Sequence, residues 1–225
     1  MVEALKERFE MPGWKEILAL VYWPLFGIAF YMLEWYPITN TYYSVHSVID
    51  DYIPFCEYFL IPYLFWFVFM FGMHVYTLLC NHKAFHHLMK FISITYTVGL
   101  IMFVLFPTCQ NLRPVSFEHT NVLTDLLQWF YTTDTNTNVT PSLHVVGAVA
   151  VWYASRKCGE FRTKKWSLFF GISTFLICIS TVFVKQHSII DVLIALVICI
   201  FTEKLLEYRP AYHQKLSWYF DQLLK

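Results

Sequence analysis

His187 and Asp191 stand four residues apart in Lys185-Gln186-His187-Ser188-Ile189-Ile190-Asp191, a spacing that puts both on one face of a helix. There the carboxylate accepts a hydrogen bond from one imidazole nitrogen, fixes the tautomer and leaves the other nitrogen as an outward lone pair, which suits a nucleophile or a general base. The same pair also serves as a structural couple inside a bundle, or as half of a metal site. A second segment, Thr140-Pro141-Ser142-Leu143-His144, reads as a helix start, with Thr140 as the cap and Pro141 at the first helical position. The free N–H groups and dipole of such a terminus attract anions; Ser142 adds a hydroxyl, and His144 follows within the next turn. Alone this second segment is weak, because capped helices are commonplace and a single histidine is more often a satisfied core residue.

These residues have to be held by elements that live in a bilayer. The 225 residues are 57% hydrophobic, 20% aromatic and only 14% charged, with a mean hydropathy of +0.48, whereas soluble domains carry about 25% charged residues. An apolar helix of about 20 residues crosses the roughly 30 Å hydrocarbon layer. Runs of that kind stand at Ile17 to Leu33, Tyr58 to Cys80, Leu88 to Phe106, Val139 to Ala154, Trp166 to Val184 and Ser188 to Leu206. The predicted fold is therefore all-α, a polytopic bundle of six transmembrane helices in one domain over residues 1–225. The fourth and sixth runs carry polar residues in their first turns, and polar residues at membrane depth usually face the bundle interior and mark function.

Orientation follows from Lys and Arg, which are retained on the cytoplasmic side in short loops. With the N-terminus inside, all of the 16 Lys and Arg fall on that side except Arg113 and Lys185. Both termini are then cytoplasmic, and the loops Glu34 to Glu57 and Pro107 to Asn138 lie on the opposite face with the turn at Lys185. The interval from His144 to His187 is what one helix inward, a basic turn and one helix outward require, so both histidines return to the non-cytoplasmic face. Arg113, in Cys109-Gln110-Asn111-Leu112-Arg113-Pro114, arrives there too. Two imidazoles, a carboxylate and two cations converge at one depth, where a phosphate would be held.

The arrangement resembles the type 2 phosphatidic acid phosphatase superfamily, whose members share a six-helix core and three motifs. The first, Lys, six residues, Arg-Pro, is represented by Arg113-Pro114, with Phe106 in the lysine position. The second, Pro-Ser-Gly-His, reads Pro141-Ser142-Leu143-His144. The third, Ser-Arg, five residues, His, three residues, Asp, keeps Ser180, His187 and Asp191, has Thr181 for the arginine, and has Lys185 two residues before the histidine. The resemblance spans Arg113 to Asp191 directly, and it implies that His187 attacks phosphorus, Asp191 orients it and His144 protonates the leaving oxygen. It also implies that Arg113, Ser142 and Lys185 hold the phosphate oxygens, with Gln110 and Asn111 as added neutral donors, and that no metal or cofactor is needed. Its substrates are lipid or polyprenyl phosphates; nucleic acid is not among the partners. Leu143 in place of glycine also occurs in the branch containing inositol phosphorylceramide synthases. Three readings therefore stay open: a lipid phosphate phosphatase, a phosphotransferase to a lipid or polyol alcohol, and a silent phospholipid-binding member.

Other features have plainer explanations. Met1 to Glu16 suits a short amphipathic surface helix or a frayed end. Leu123 to Tyr131 suits a short interfacial helix inside an unusually long connection. His82 and His86 have the spacing of a helical metal pair, yet a headgroup contact in a basic loop fits better. Asp50 and Asp51 read as a solvated turn or a helix start, and the tryptophans at Trp14, Trp23, Trp35, Trp129, Trp166 and Trp218 as interfacial anchors. Cys56 and Cys109 both lie near outer helix ends, where a disulfide is one option; the other cysteines read as packing residues.

Overall fold

The computed structural model describes residues 11–36, 38, 39 and 41–223, with side chains as far as Tyr208. The segment Met1 to Glu16 lies largely outside the described residues, as does the Trp218 side chain. Apolar sequence becomes helix wherever backbone polar groups must be satisfied internally. Helices α1 (Trp14–Leu20) and α2 (Tyr22–Trp35) are joined by a turn at Val21 and form one apolar stretch. A short α3 (Val48–Tyr52) precedes α4 (Leu60–Cys80) and α5 (His82–Leu105). Beyond a long connection containing α6 (Val122–Thr133) come α7 (Leu143–Lys157), α8 (Lys164–Phe183) and α9 (Ile189–Leu223). A short helix, expected at Leu123 to Tyr131, is present as α6, capped by Asn121, whose Oδ1 accepts from the N–H of Leu123 at 2.9 Å.

Among the described residues four stretches are long and apolar enough to cross a membrane: Trp14–Trp35, Glu57–Cys80, His82–Leu105 and Lys164–Phe183. This is an integral membrane protein. The other two expected spans differ for physical reasons. Helix α7 has 15 residues, about 22 Å at 1.5 Å per residue, less than a hydrocarbon layer. In α9 the apolar run is interrupted by Asp191, Glu203 and Lys204.

Helix α7 is nonetheless the axis of the bundle, packing against α4, α5, α8 and α9. Its residues from Val145 to Val151 are all buried, and Gly147, Ala148, Ala150 and Ala154 let neighbouring backbones approach closely. At Gly147 a β-carbon would stand 2.7 Å from the indole nitrogen of Trp66 and 2.9 Å from the Tyr96 hydroxyl, so only glycine fits. A second, smaller apolar cluster of Leu60, Tyr63, Leu127 and Val184 seats α6 against one end of the bundle. At that same end the connections are stitched together. Strands β1 (Tyr43–Ser44) and β2 (Thr108–Cys109) pair in parallel, and Cys109 bridges to Thr137. Cys56 and Cys109 are both free thiols.

The opposite end is basic, and its histidines are paired with side chains of the protein. His86 Nε2 lies 2.6 Å from Glu16 Oε1, with His82 Nδ1 at 3.9 Å from the same atom. Glu203 lies between His87 and Lys157, 3.0 Å from each. Among the described residues no group of three or more His, Cys, Asp or Glu is placed to hold a metal.

Candidate active site

The turn between α8 and α9 carries the third motif. After Phe183 the chain reverses through Lys185, whose φ of +52° is a left-handed conformation that glycine or asparagine usually takes. Hydrogen bonds hold it there. The Lys185 N–H donates to Val182 O at 3.1 Å, Gln110 Nε2 donates to Lys185 O at 3.1 Å, and Lys185 Nζ donates to the carbonyls of Asp50 and Ile53 at 3.0 and 2.5 Å. The ammonium therefore points at the α3 loop. Burial pushes it below the usual lysine range, with Asp50 and Asp51 opposing that shift.

His187 and Asp191 come together, with His187 Nδ1 3.4 Å from Asp191 Oδ2, but not on one helix face: His187 stands in the turn before α9, and its Nδ1 makes no hydrogen bond. Asp191 is wholly buried. It accepts from the N–H of Ser188 at 2.9 Å and from the hydroxyl of Thr140. That last bond alters the expected helix start. Thr140 caps nothing because its hydroxyl is committed to Asp191. Helix α7 begins at Leu143 with Ser142 as its N-terminal flank, after a cis Thr140–Pro141 bond. Ser142 makes no capping bond, and its Oγ is buried without a partner. His144, in the first turn, stacks on Tyr63 at 4.2 Å and tilts against Trp66 at 4.5 Å, and its Nε2 is also buried without a partner.

His144 and His187 both line a cavity of about 350 Å³. One wall is aromatic, from Trp23, Phe26 and Phe30 on α2 and Tyr63, Trp66 and Phe67 on α4; the other end is polar, from Asp134, Thr135, Thr137 and Gln186. Trp23, expected as an interfacial anchor, is part of this wall, whereas Trp14, Trp35, Trp129 and Trp166 are exposed. Asp134 is held above the usual carboxylate range by burial, against the pull of Arg113.

Arg113 comes close but does not line the cavity. Its Nη1 donates to the carbonyls of Tyr131 and Asp134 at 3.1 and 2.9 Å, and its Nη2 to the carbonyl of Thr135 at 2.8 Å and to Gln186 Oε1 at 2.6 Å. Its guanidinium lies 4.8 Å from the Tyr131 ring centroid. Gln110 and Asn111 are similarly engaged in loop structure: Gln110 Oε1 accepts from the N–H of Leu112 at 2.6 Å, and Asn111 Oδ1 accepts from Asn136 Nδ2 at 3.2 Å.

Two contributors escaped sequence reading. Asp50, read as part of a solvated turn or a helix start, does sit in α3, but it is 1% exposed. Its carboxylate accepts from Ser188 Oγ at 2.6 Å and from the N–H of Ile189 at 2.8 Å, closing the start of α9. Its place in α3 agrees with the helix-start reading, but nothing local in the sequence pointed to this long-range contact. The other is Gln186, signalled only by its place beside His187 in an apolar setting.

No curated protein and no solved structure matches the chain. A family model does: that of the PAP2 superfamily aligns with residues 87–214, more than half of the 225 residues. The match takes in the start of α7 with Ser142 and His144, and the turn carrying His187 and Asp191. The chain belongs to the PAP2 superfamily.

Proposed function

We propose that the protein is a membrane lipid phosphate phosphatase that hydrolyses a lipid phosphomonoester or diphosphate through a phosphohistidine. The superfamily comprises phosphatases and phosphotransferases acting on lipid phosphates. The observation carrying the reading is that His144 and His187, from separate motifs, open onto one cavity walled by rings of apolar helices. A lipid tail suits that wall, and the phosphate suits the polar end.

In the first step His187 Nε2 attacks phosphorus while Asp191, beside Nδ1, stabilises the charge that develops on the ring. The bond from phosphorus to the lipid oxygen breaks, and protonated His144 gives its proton to that oxygen. In the second step neutral His144 takes a proton from water, the hydroxide attacks phosphorus, and the P–N bond returns its electrons to His187. Ser142, with its unpartnered hydroxyl, stabilises the equatorial oxygens, and Arg113, whose terminal N–H groups are held by carbonyls and Gln186, adds positive potential from behind the site. Lys185 adds positive potential from the turn. The chemistry assigns every proton transfer to side chains and calls for no metal.

Transfer to an alcohol is the second reading, favoured by Leu143. It stands where glycine is usual in this motif, and its side chain lines the cavity beside His144, adding apolar surface where the acceptor enters. Phosphate release from a panel of lipid phosphates and polyprenyl diphosphates in EDTA, with His187→Ala as control, tests the first reading. Release by the wild type alone is expected. Activity surviving in His187→Ala would sink the covalent mechanism, and release appearing only as transfer to an added alcohol would establish the second reading.

A further inference from the structure

Arg113 carries four terminal N–H groups, and all four have acceptors: the carbonyls of Tyr131, Asp134 and Thr135, and Oε1 of Gln186. An arginine only donates. The Gln186 atom it touches must therefore be the amide oxygen, which fixes the orientation of an amide otherwise ambiguous to rotation. The Gln186 NH2 group then faces the other way. Gln186 is 2% exposed, its backbone N–H donates to Thr181 O at 3.0 Å, and its Nε2 is buried without a partner. Its side chain lines the cavity next to His187, and Arg113 does not. A buried amide nitrogen with two unmet N–H bonds, on a residue that lines the cavity, calls for an acceptor.

We propose that Gln186 donates directly to a phosphoryl oxygen of the substrate, and that Arg113 is a positioning residue acting through it, with its Nη2 holding the amide oxygen so that the N–H bonds face the cavity. This rests on the phosphoryl-transfer reading above. It gives a site with Phe106 and Thr181 at two motif cation positions a neutral donor, polarised by the guanidinium behind it.

Gln186→Glu separates this role from a structural one. A glutamate would keep, and strengthen, the bond to Arg113 while removing both N–H donors and adding a charge that repels phosphate. Full-length wild type, Gln186→Glu, Gln186→Ala and Arg113→Lys, with Arg113→Lys also combined with Gln186→Ala, would be compared for kcat/KM on the lipid phosphate that the wild type turns over. Each would also be measured for inhibition by orthovanadate and for its thermal stabilisation by that ion. The expected result is a loss of about 100-fold in kcat/KM for Gln186→Glu, the scale of one transition-state donor, with vanadate inhibition and stabilisation lost in parallel while the unliganded melting temperature is kept. Arg113→Lys should cost little more in the Gln186→Ala background than Gln186→Ala alone. Wild-type turnover and vanadate response retained in Gln186→Glu would overturn the proposal while leaving the His187 mechanism intact. A wild type that neither releases phosphate nor gains stability from vanadate would overturn the mechanism and this proposal together.

Discussion

Asp191 is wholly buried, and its carboxylate is shared among the Ser188 N–H, the Thr140 hydroxyl and the His187 ring. A buried carboxylate must have its lone pairs met, so the Ser188 and Thr140 donors each offset the cost of burying it beside His187. Thr140→Val keeps the shape and removes one donor. The expected loss is about 1–3 kcal/mol, read as a lower melting temperature in detergent, together with reduced turnover because the histidine loses part of its fixed partner. The closeness of His187 and Asp191 was legible because four residues of chain separate them, although His187 stands in the turn before α9 and only Asp191 is on the helix. The Thr140 bond was not, since its partner is 51 residues away and the same hydroxyl suits a helix cap equally well. Gln186 was illegible for a similar reason: its meaning comes from Arg113, which reaches it from another connection.

At the scale of elements, the catalytic turn is held from outside. Helix α3 is only five residues long, yet its Asp50 closes the start of α9 through Ser188 and Ile189, and the carbonyls of Asp50 and of Ile53 just past the helix receive the Lys185 ammonium. His187 lies between these two anchors. Asp50→Asn leaves one acceptor where three donors converge, counting the Ser47 N–H at 2.8 Å, and weakens hydrogen bonds to a charged group worth about 1.5–3 kcal/mol each. The variant should melt lower and lose turnover, whereas Asp51→Asn, whose partner is the exposed His46, should change little. Helices α4, α5 and α8 were readable because their length and uniform apolarity admit few alternatives in a bilayer. Helix α7 was placed too early, at Val139, because Pro141 and Thr140 carry helix-start chemistry that the site uses otherwise. The role of α3 was hidden because its acid looks like any turn acid until the fold brings Ser188 against it.

For the whole molecule, charge and chemistry occupy opposite ends. At one end α7, α8 and the turn between them contribute Arg156, Lys157, Arg162, Lys164 and Lys165, and Lys157 meets Glu203 of α9 there. At the other end Arg113 and Lys185 both direct their charge into loop carbonyls and not toward solvent. Such internal use fits a face where free cations are disfavoured by the retention of Lys and Arg on the cytoplasmic side. The His187 end should accordingly face away from the cytoplasm, so that a substrate enters from the outer leaflet or the lumen and products leave there. Val115, fully exposed beside Arg113, offers a direct test. In a background with Cys56 and Cys109 changed to serine, Val115→Cys should react with a membrane-impermeant maleimide in intact cells, and Lys164→Cys should react only after the membrane is opened. The reverse pattern would put the site in the cytoplasm, and with it the phosphate that the reaction releases.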